Sequence, residues 1–300
     1  MQLALLFVFC GAGIILSSII AGVIGNTVLH VEMKDLSAAL MKPENIGVSR
    51  ILQVFTSFFI MGMPALAIGK ITLEAPIEYL GFREAGNAKQ LGIVVLMVFA
   101  GLLLSGAMGE LNRIIPIPKN AASFFQGLED DYNSQVMAMG KMTSTYDYIA
   151  SLLVLAIIPA IFEEMLFRGC MQQIMVSLTR NAFVGILITS IIFSAIHISY
   201  YGFLPRLVLG LMLGYLFYYS KNIWMSIAAH FLNNAFALTS IYMLSRSGKL
   251  TPEAMNETYP LYYALIGGGL LYALFVMFKK ESSNVLSKRV IVNEENIQQL

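Results

Sequence analysis

Charged residues are scarce in this chain, since only 12% of its 300 residues are Asp, Glu, Lys or Arg. A soluble domain is usually about a quarter charged, so this chain cannot cover a water-facing surface. Its formal net charge of +1 gives no indication of a nucleic-acid partner. Because 57% of the residues are hydrophobic, the composition predicts an integral membrane protein whose surroundings are the lipid bilayer.

Cysteine and histidine are also rare, with two and three residues. Cys10 and Cys170 lie far apart in apolar runs, which predicts two unpaired buried thiols. A disulfide framework and a zinc–thiolate site are therefore excluded. The sequence also lacks the G-x-S-x-G and H-E-x-x-H motifs, and no internal repeat supports an inverted-repeat transporter.

Long apolar runs, by contrast, are abundant, and each approaches the roughly 20 residues that a helix needs to span a bilayer. The runs are continuous rather than alternating, which predicts helices and not a barrel. The expected fold class is all-α: a polytopic membrane protein with about eight transmembrane helices around a polar catalytic cavity. The runs lie near residues 3–29, 52–73, 90–109, 146–176, 182–199, 203–220, 222–245 and 259–278.

The polar stretches indicate one membrane domain over residues 1–281 and a polar, loosely ordered C-terminal tail over 282–300. The longest connection, residues 110–145, is expected at the membrane interface, with its charged run "LEDDY" in a solvated loop. Eight spans place both termini on one side, and the basic residues after the last span favour the cytoplasm.

Three ionisable residues interrupt the fourth apolar run. Glu163 and Glu164 are adjacent, and Arg168 follows Glu164 by four residues. A carboxylate at the bilayer centre costs about 2.5–3.5 kcal/mol on insertion scales, so such residues usually face inward and serve a function. Glu164 and Arg168 share a helix face and can pair, whereas Glu163 lies about 100° away. The alternative is that these charges mark the solvated end of the segment.

Two of the three histidines also lie in apolar runs. His197 ends the fifth run, and His230 lies in the seventh with Asn234 one helical turn later. A single histidine in an apolar helix is usually a hydrogen-bonded core residue. Two histidines with Asn234 and Glu163 on three runs favour a shared polar pocket instead.

These residue types suffice for peptide-bond hydrolysis without a serine or cysteine nucleophile. A carboxylate and an imidazole can deprotonate water, while a second imidazole and an amide N–H can stabilise an oxyanion. Two histidines and a carboxylate can also hold a divalent metal, such as Zn, that activates the same water. The residues alone leave both mechanisms open.

Three motifs resemble those of the CPBP family of intramembrane endopeptidases, which includes the type II CAAX prenyl proteases, the bacteriocin-processing proteins and the abortive-infection proteins. The family pattern is E-E-x-x-x-R, F-x-x-x-H and H-x-x-x-N/D on successive membrane helices. This chain reads "EEMLFR" from Glu163, "FSAIH" from Phe193 and "HFLNN" from His230. The resemblance covers residues 145–245, which would form the catalytic core.

The resemblance implies a role for each matching residue. Glu163 and His197 would activate the water, and His230 and Asn234 would stabilise the oxyanion. Glu164, Arg168 and Phe193 would support the site. The family is described as glutamate-dependent and as metal-dependent; we favour glutamate with water. If a metal is present, its ligands would be Glu163, His197 and His230.

The resemblance also implies a substrate class and a location. The substrate would be a membrane-associated protein or peptide, with or without a lipid anchor, cut at a CAAX-type or leader-peptide-type site. The chain would be a multi-pass protein of the bacterial cell membrane. Two alternatives are a non-catalytic immunity or scaffold protein of the same fold and a proton- or cation-coupled transporter.

Overall fold

The computed structural model describes residues 1–73, 75–84, 86–116, 119–140, 142, 144–251, 254 and 258–298. This part of the chain forms helices and turns and contains no strand. In chain order the helices are α1 (Gln2–Thr27), α2 (Met33–Leu40), α3 (Ile46–Ser57), α4 (Met63–Leu73), α5 (Pro76–Tyr79), α6 (Ala88–Ile114), α7 (Lys119–Gly140), α8 (Thr145–Ser151), α9 (Ile158–Leu166), α10 (Gln173–Thr179), α11 (Ala182–Ala195), α12 (Phe203–Ser220), α13 (Ile223–Arg246) and α14 (Tyr262–Gln298).

Wide π-helical turns join several of these helices into longer ones. The turns Phe58–Gly62, Leu152–Ile157 and Phe167–Gln172 join α3 to α4, α8 to α9 and α9 to α10. The first two are followed within two residues by Pro64 and Pro159. Proline has no N–H and its ring crowds the carbonyl four residues earlier, so a wider turn relieves the clash without ending the helix.

Seven helices of the described chain are long and apolar enough to cross a membrane. The prediction of an all-α, polytopic membrane protein is therefore confirmed. The count differs from the predicted eight because α11 has only 14 residues. At 1.5 Å per residue it is about 21 Å long, less than the hydrocarbon core of about 30 Å.

Helix α11 nevertheless reverses the direction of the chain. It runs antiparallel to α12, which runs parallel to the α9–α10 segment. The first and last helices consequently meet the same end of the bundle. There Gln2 of α1 donates a hydrogen bond to Thr72 of α4 at 3.2 Å, and Gln90 of α6 donates to Ser282 of α14 at 3.0 Å.

One prediction about polar segments is corrected by the structure. The charged run in the 110–145 connection is not a solvated loop, because it lies on α7 and its Glu129 side chain is buried. Helix α14 continues past the predicted domain boundary to Gln298, and Ser282 is fully buried against α6. The loose order of the tail remains a prediction.

Small residues bring the central helices close together. A Cβ atom added to Gly210 of α12 would lie 2.9 Å from Ser190 Cβ of α11, and one added to Gly214 would lie 2.7 Å from Ile186. This close approach places the backbone of α12 within reach of side chains on α9 and the following π turn. Both cysteines, Cys10 and Cys170, are free thiols, as predicted.

Candidate active site

The adjacent carboxylates of α9 have different surroundings. Glu164 is fully buried, and its Oε1 accepts a hydrogen bond from Nη1 of Arg168 at 2.7 Å. Neither side chain of this pair is exposed. The structure thus contains the ion pair that the four-residue spacing predicts. The alternative prediction, that Glu164 and Arg168 lie at the solvated end of the segment, is wrong.

Arg168 also connects α9 to the two neighbouring helices. Its Nη2 donates to the carbonyl oxygen of Gly210 on α12 at 3.1 Å. Its guanidinium carbon lies 4.6 Å from the ring centroid of Phe193 on α11. Gly210 can offer its carbonyl here because the absence of a side chain lets α12 pack closely on α11. One buried cation therefore fixes three helices around Glu164.

His230 lies between the two carboxylates. Its Nδ1 is 2.8 Å from Glu164 Oε1, and its Nε2 is 3.8 Å from Glu163 Oε2. An ionised carboxylate only accepts hydrogen bonds, so Nδ1 carries the hydrogen in this contact. Glu164 thereby orients the imidazole, and Nε2 is the nitrogen that faces Glu163. Sequence spacing gave no sign of this contact between α9 and α13.

His197 lies in the turn that follows α11. Its Nδ1 is 2.8 Å from the carbonyl oxygen of Phe193, which can only accept, so Nε2 carries the free lone pair. The Phe193 ring contacts both imidazoles, with centroid distances of 5.1 Å to His197 and 5.8 Å to His230. Non-helical backbone at membrane depth occurs where protein or a wet cavity surrounds it. The short α11 thus ends at the candidate site.

Asn234 lies one turn after His230 on α13. Its Oδ1 accepts a hydrogen bond from Nδ2 of Asn233 at 3.3 Å. This contact uses the carbonyl side of the Asn234 amide, so its NH₂ group is the part that can donate to a ligand.

Glu163 has the surroundings of a group that binds water. Its side chain is 13% exposed. Within the described chain its Oε2 is buried without a hydrogen-bond partner. The 3.8 Å to His230 Nε2 is too long for a direct hydrogen bond, although one water can bond to both atoms. Glu164 is bonded through Oε1 although its Oε2 also has no partner in the described chain, whereas Glu163 is the partly exposed carboxylate.

Arg206 is a further cation at the site that the sequence reading missed. It lies on the first turns of α12 and interacts electrostatically with Glu163 and His197. A signal for it exists, because Arg206 falls inside the predicted sixth run, where an ionisable residue points to function.

Helix α7 also reaches this region, which its polar sequence did not suggest. Glu129 Oε2 accepts a hydrogen bond from Ser199 Oγ at 3.0 Å, in the turn that carries His197. The ring centroid of Tyr132, one turn later on α7, lies 5.1 Å from the guanidinium carbon of Arg206. Both residues come from the stretch predicted to be a solvated loop.

The metal-ligand set implied by the resemblance does not form a compact group. Among the described residues no three His, Cys, Asp or Glu side chains are close enough together to hold a metal ion. The Nδ1 atoms of His230 and His197 are bonded to Glu164 and to a backbone carbonyl, which leaves Nε2 of both imidazoles free, as in histidines that bind zinc. Zn binding therefore remains an open alternative.

A large cavity lies away from these residues. Its volume is about 650 Å³, and it opens between α2, α3, α7 and α8. Its lining is mostly apolar, with Arg50 and Asp147 among the polar residues. Glu163 does not line it. The polar catalytic cavity expected around Glu163 remains a prediction.

Comparison with known families adds an independent finding. Residues 145–236 match the model of the family described as type II CAAX prenyl endopeptidase Rce1-like. No curated protein and no solved structure matches the chain. The matched region contains all three motifs, from Glu163 to Asn234. The match supports the predicted CAAX-protease family and, in general terms, an intramembrane CAAX-type endopeptidase.

Proposed function

We propose, on the premise that residues 145–236 form a domain of the CAAX-protease family, that this chain is an intramembrane endopeptidase that uses a water activated by Glu163. The observation that carries the proposal is the difference between the adjacent carboxylates. Oε1 of Glu164 accepts hydrogen bonds from Arg168 and His230, and this side chain is fully buried. Oε2 of both carboxylates has no partner in the described chain, but only the Glu163 side chain is partly exposed, by 13%. A carboxylate held open beside an imidazole is the arrangement that a general base requires.

The water lies between Glu163 and the imidazoles. Glu163 accepts its proton, and His197 assists through Nε2, whose lone pair is left free by the bond from Nδ1 to Phe193. The resulting hydroxide attacks the carbonyl carbon of the scissile bond. Because the carboxylate needs no rearrangement to meet the water, proximity lowers the activation barrier.

The oxyanion formed by this attack is stabilised from α13. The NH₂ group of Asn234 donates to it, and the imidazole of His230 lies one turn away with Nε2 towards Glu163. Glu164 holds the imidazole in place through Nδ1, as the buried Asp does for the histidine of a serine protease. The proton taken from water then passes to the amide nitrogen, the C–N bond breaks, and a carboxylic acid and an amine leave.

The substrate is a membrane-associated protein or peptide, with or without a lipid anchor. The chain acts as a multi-pass protein of the bacterial cell membrane with cytoplasmic termini. Zn chemistry remains the alternative mechanism, although the described residues bring no three ligand side chains together, and no step above depends on it.

The test compares Glu163→Gln with wild-type protein purified in detergent, using a quenched fluorescent peptide that ends in a farnesylated Cys-Val-Ile-Met sequence. This is a farnesylated CAAX motif with a C-terminal Met. We expect kcat/KM to fall by about 10²–10⁴-fold, the usual contribution of a general base. The melting temperature should stay within a few degrees of wild type, because Gln has the shape of Glu and the 3.8 Å contact of Glu163 with His230 is too long for a direct hydrogen bond.

Two outcomes would count against the proposal. If Glu163→Gln retains activity, another group activates the water. If the wild type cleaves neither the farnesylated peptide nor a bacteriocin leader peptide, the non-catalytic alternative is favoured. Addition and removal of Zn²⁺ with the wild type separates the glutamate mechanism from the metal mechanism, since only the latter needs the ion.

A further inference from the structure

Arg206 lies at the same depth in the bundle as the catalytic carboxylates. Arg168 bonds to Gly210, and Gln172 bonds to Gly214, each pair being 42 residues apart on parallel helices. The same offset places Arg206 beside Glu164. Arg206 also interacts electrostatically with Glu163 and His197. Its guanidinium is therefore a neighbour of the candidate site.

No ion pair closer than 4 Å involves the guanidinium of Arg206 among the described residues. The Tyr132 ring of α7 lies 5.1 Å from its central carbon. Its Nη1 is buried and has no hydrogen-bond partner in the described chain. The nearby carboxylate of Glu129 is engaged by Ser199 instead. Nη1 of Arg206 lies against Gly202, where the Cβ atom of any larger residue would collide with this nitrogen.

Arg168 shows how a buried arginine of the same bundle uses both ends of its fork, although its Nε has no hydrogen-bond partner in the described chain. Its Nη1 bonds to Glu164 and its Nη2 to the Gly210 carbonyl. Arginine offers a planar fork of N–H donors that matches a carboxylate with two parallel hydrogen bonds. A fork with a buried, unpartnered nitrogen beside a hydrolytic site is suited to an anionic group of the substrate.

We propose that Arg206 binds the C-terminal carboxylate of the peptide substrate and thereby selects chains that end close to the scissile bond. This inference rests on the proposed protease function. A CAAX motif is C-terminal, so a cut within it leaves at most three residues before the carboxylate. Three extended residues reach at most about 11 Å. Packed helices are about 8–10 Å apart, so α12 lies within reach of a peptide cut beside Glu163.

The test uses two versions of the farnesylated Cys-Val-Ile-Met peptide, one with a free C-terminal carboxylate and one with a C-terminal amide. We expect the wild type to cleave the acid with kcat/KM about 10- to 100-fold above the amide, the range of a charge-assisted hydrogen bond. Arg206→Gln should lower the ratio of kcat/KM for the acid to kcat/KM for the amide to about one. The loss should appear in KM, because the carboxylate is bound equally before and during the reaction.

Two further variants control for charge and for folding. Arg113→Gln removes an exposed arginine of α6 and should keep the preference for the acid. Arg206→Lys keeps the charge but loses the fork and should show an intermediate preference. If Arg206→Gln fails to fold, the Lys variant still tests the carboxylate preference.

The outcomes separate this inference from the proposed function. If the wild type cleaves the acid and the amide peptides equally, the proposed carboxylate site is wrong. The same holds if Arg206→Gln lowers kcat for both peptides by the same factor. In either case the proposed protease function stands. If neither peptide is cleaved, melting curves with the tripeptides Val-Ile-Met acid and amide decide. Stabilisation by the acid alone, lost in Arg206→Gln, supports the site, and equal or no stabilisation overturns it.

Discussion

Two arginine–carboxylate pairs in this molecule show how the surroundings decide what an ion pair does. Arg168 and Glu164 are 2.7 Å apart, and neither is exposed. Arg50 of α3 and Asp147 of α8 are 3.5 Å apart, with side chains 14% and 24% exposed beside the large cavity. The inner pair orients His230, whereas the outer pair joins two helix ends. Water cannot replace the protein partners of the fully buried inner pair, so this pair can hold a neighbouring side chain in a fixed position.

The largest expected difference between the two pairs concerns the loss of the arginine. Arg168→Ala leaves Glu164 buried and unpaired, which should destabilise the protein by about 3–5 kcal/mol. Melting curves in detergent, monitored by intrinsic fluorescence, would measure this loss. An unchanged melting temperature would mean that water reaches Glu164 and that the inner pair resembles the outer one.

The packing that supports the inner pair should be the next most sensitive feature. Gly210→Ala places a methyl group 2.9 Å from Ser190 Cβ and should cost about 1–3 kcal/mol by overpacking. It should also draw the Gly210 carbonyl away from Arg168. Gly92→Ala is the matched control, because a Cβ there meets nothing within 4 Å. That control should be neutral or stabilising by up to about 1 kcal/mol. Equal melting temperatures for the two variants would argue against close contact between α11 and α12.

Removal of both charges of the inner pair should cost less than removal of one. The double variant Glu164→Gln with Arg168→Met leaves no unpaired charge, and Gln can still accept from His230 Nδ1. We expect a loss of no more than about 2 kcal/mol, since neutral replacements of buried pairs are often tolerated. Comparison with both single variants in a double-mutant cycle gives the coupling energy. A double variant less stable than Arg168→Ala would show that the charges themselves hold the helices together.

The outer pair should respond least. Arg50→Ala removes a partly exposed pair and two further hydrogen bonds, to the Asp147 carbonyl and to Ser151 Oγ. The expected cost is about 1 kcal/mol, and part of it should vanish in high salt because exposed pairs are screened. Melting curves at low and high NaCl check this. A salt-independent loss comparable to that of Arg168→Ala would place Arg50 in a site as dry as the inner one.

The sequence predicted the helical membrane fold well because hydropathy reports burial in lipid, whatever the helices contact. It missed the shortness of α11, since the apolar run 182–199 continues beyond Ala195, where the helix ends. It also assigned the "LEDDY" run to solvent. A polar residue on an amphipathic helix such as α7 can face either water or a buried partner, and composition does not distinguish them.

Part of the candidate site could also be predicted from the sequence, because helical spacing is a local property. Glu164 and Arg168 are four residues apart, so helical geometry alone brings them together. The contact of Glu164 with His230 joins residues 66 positions apart, and that of Glu129 with Ser199 joins residues 70 apart. No local periodicity encodes such distances. They follow from the order in which the helices pack.

The sequence by itself determined the membrane-spanning helices, the inner ion pair and the motif residues, because hydrophobicity and helical spacing are local properties. Only the tertiary structure decided which carboxylate is partly exposed, which nitrogen of each imidazole faces the site, and that Arg206 lies near Glu163 with its Nη1 unpartnered in the described chain. These features depend on α11, α12 and α13 closing around α9. Their packing is fixed by the fit of small residues and buried hydrogen bonds between distant segments.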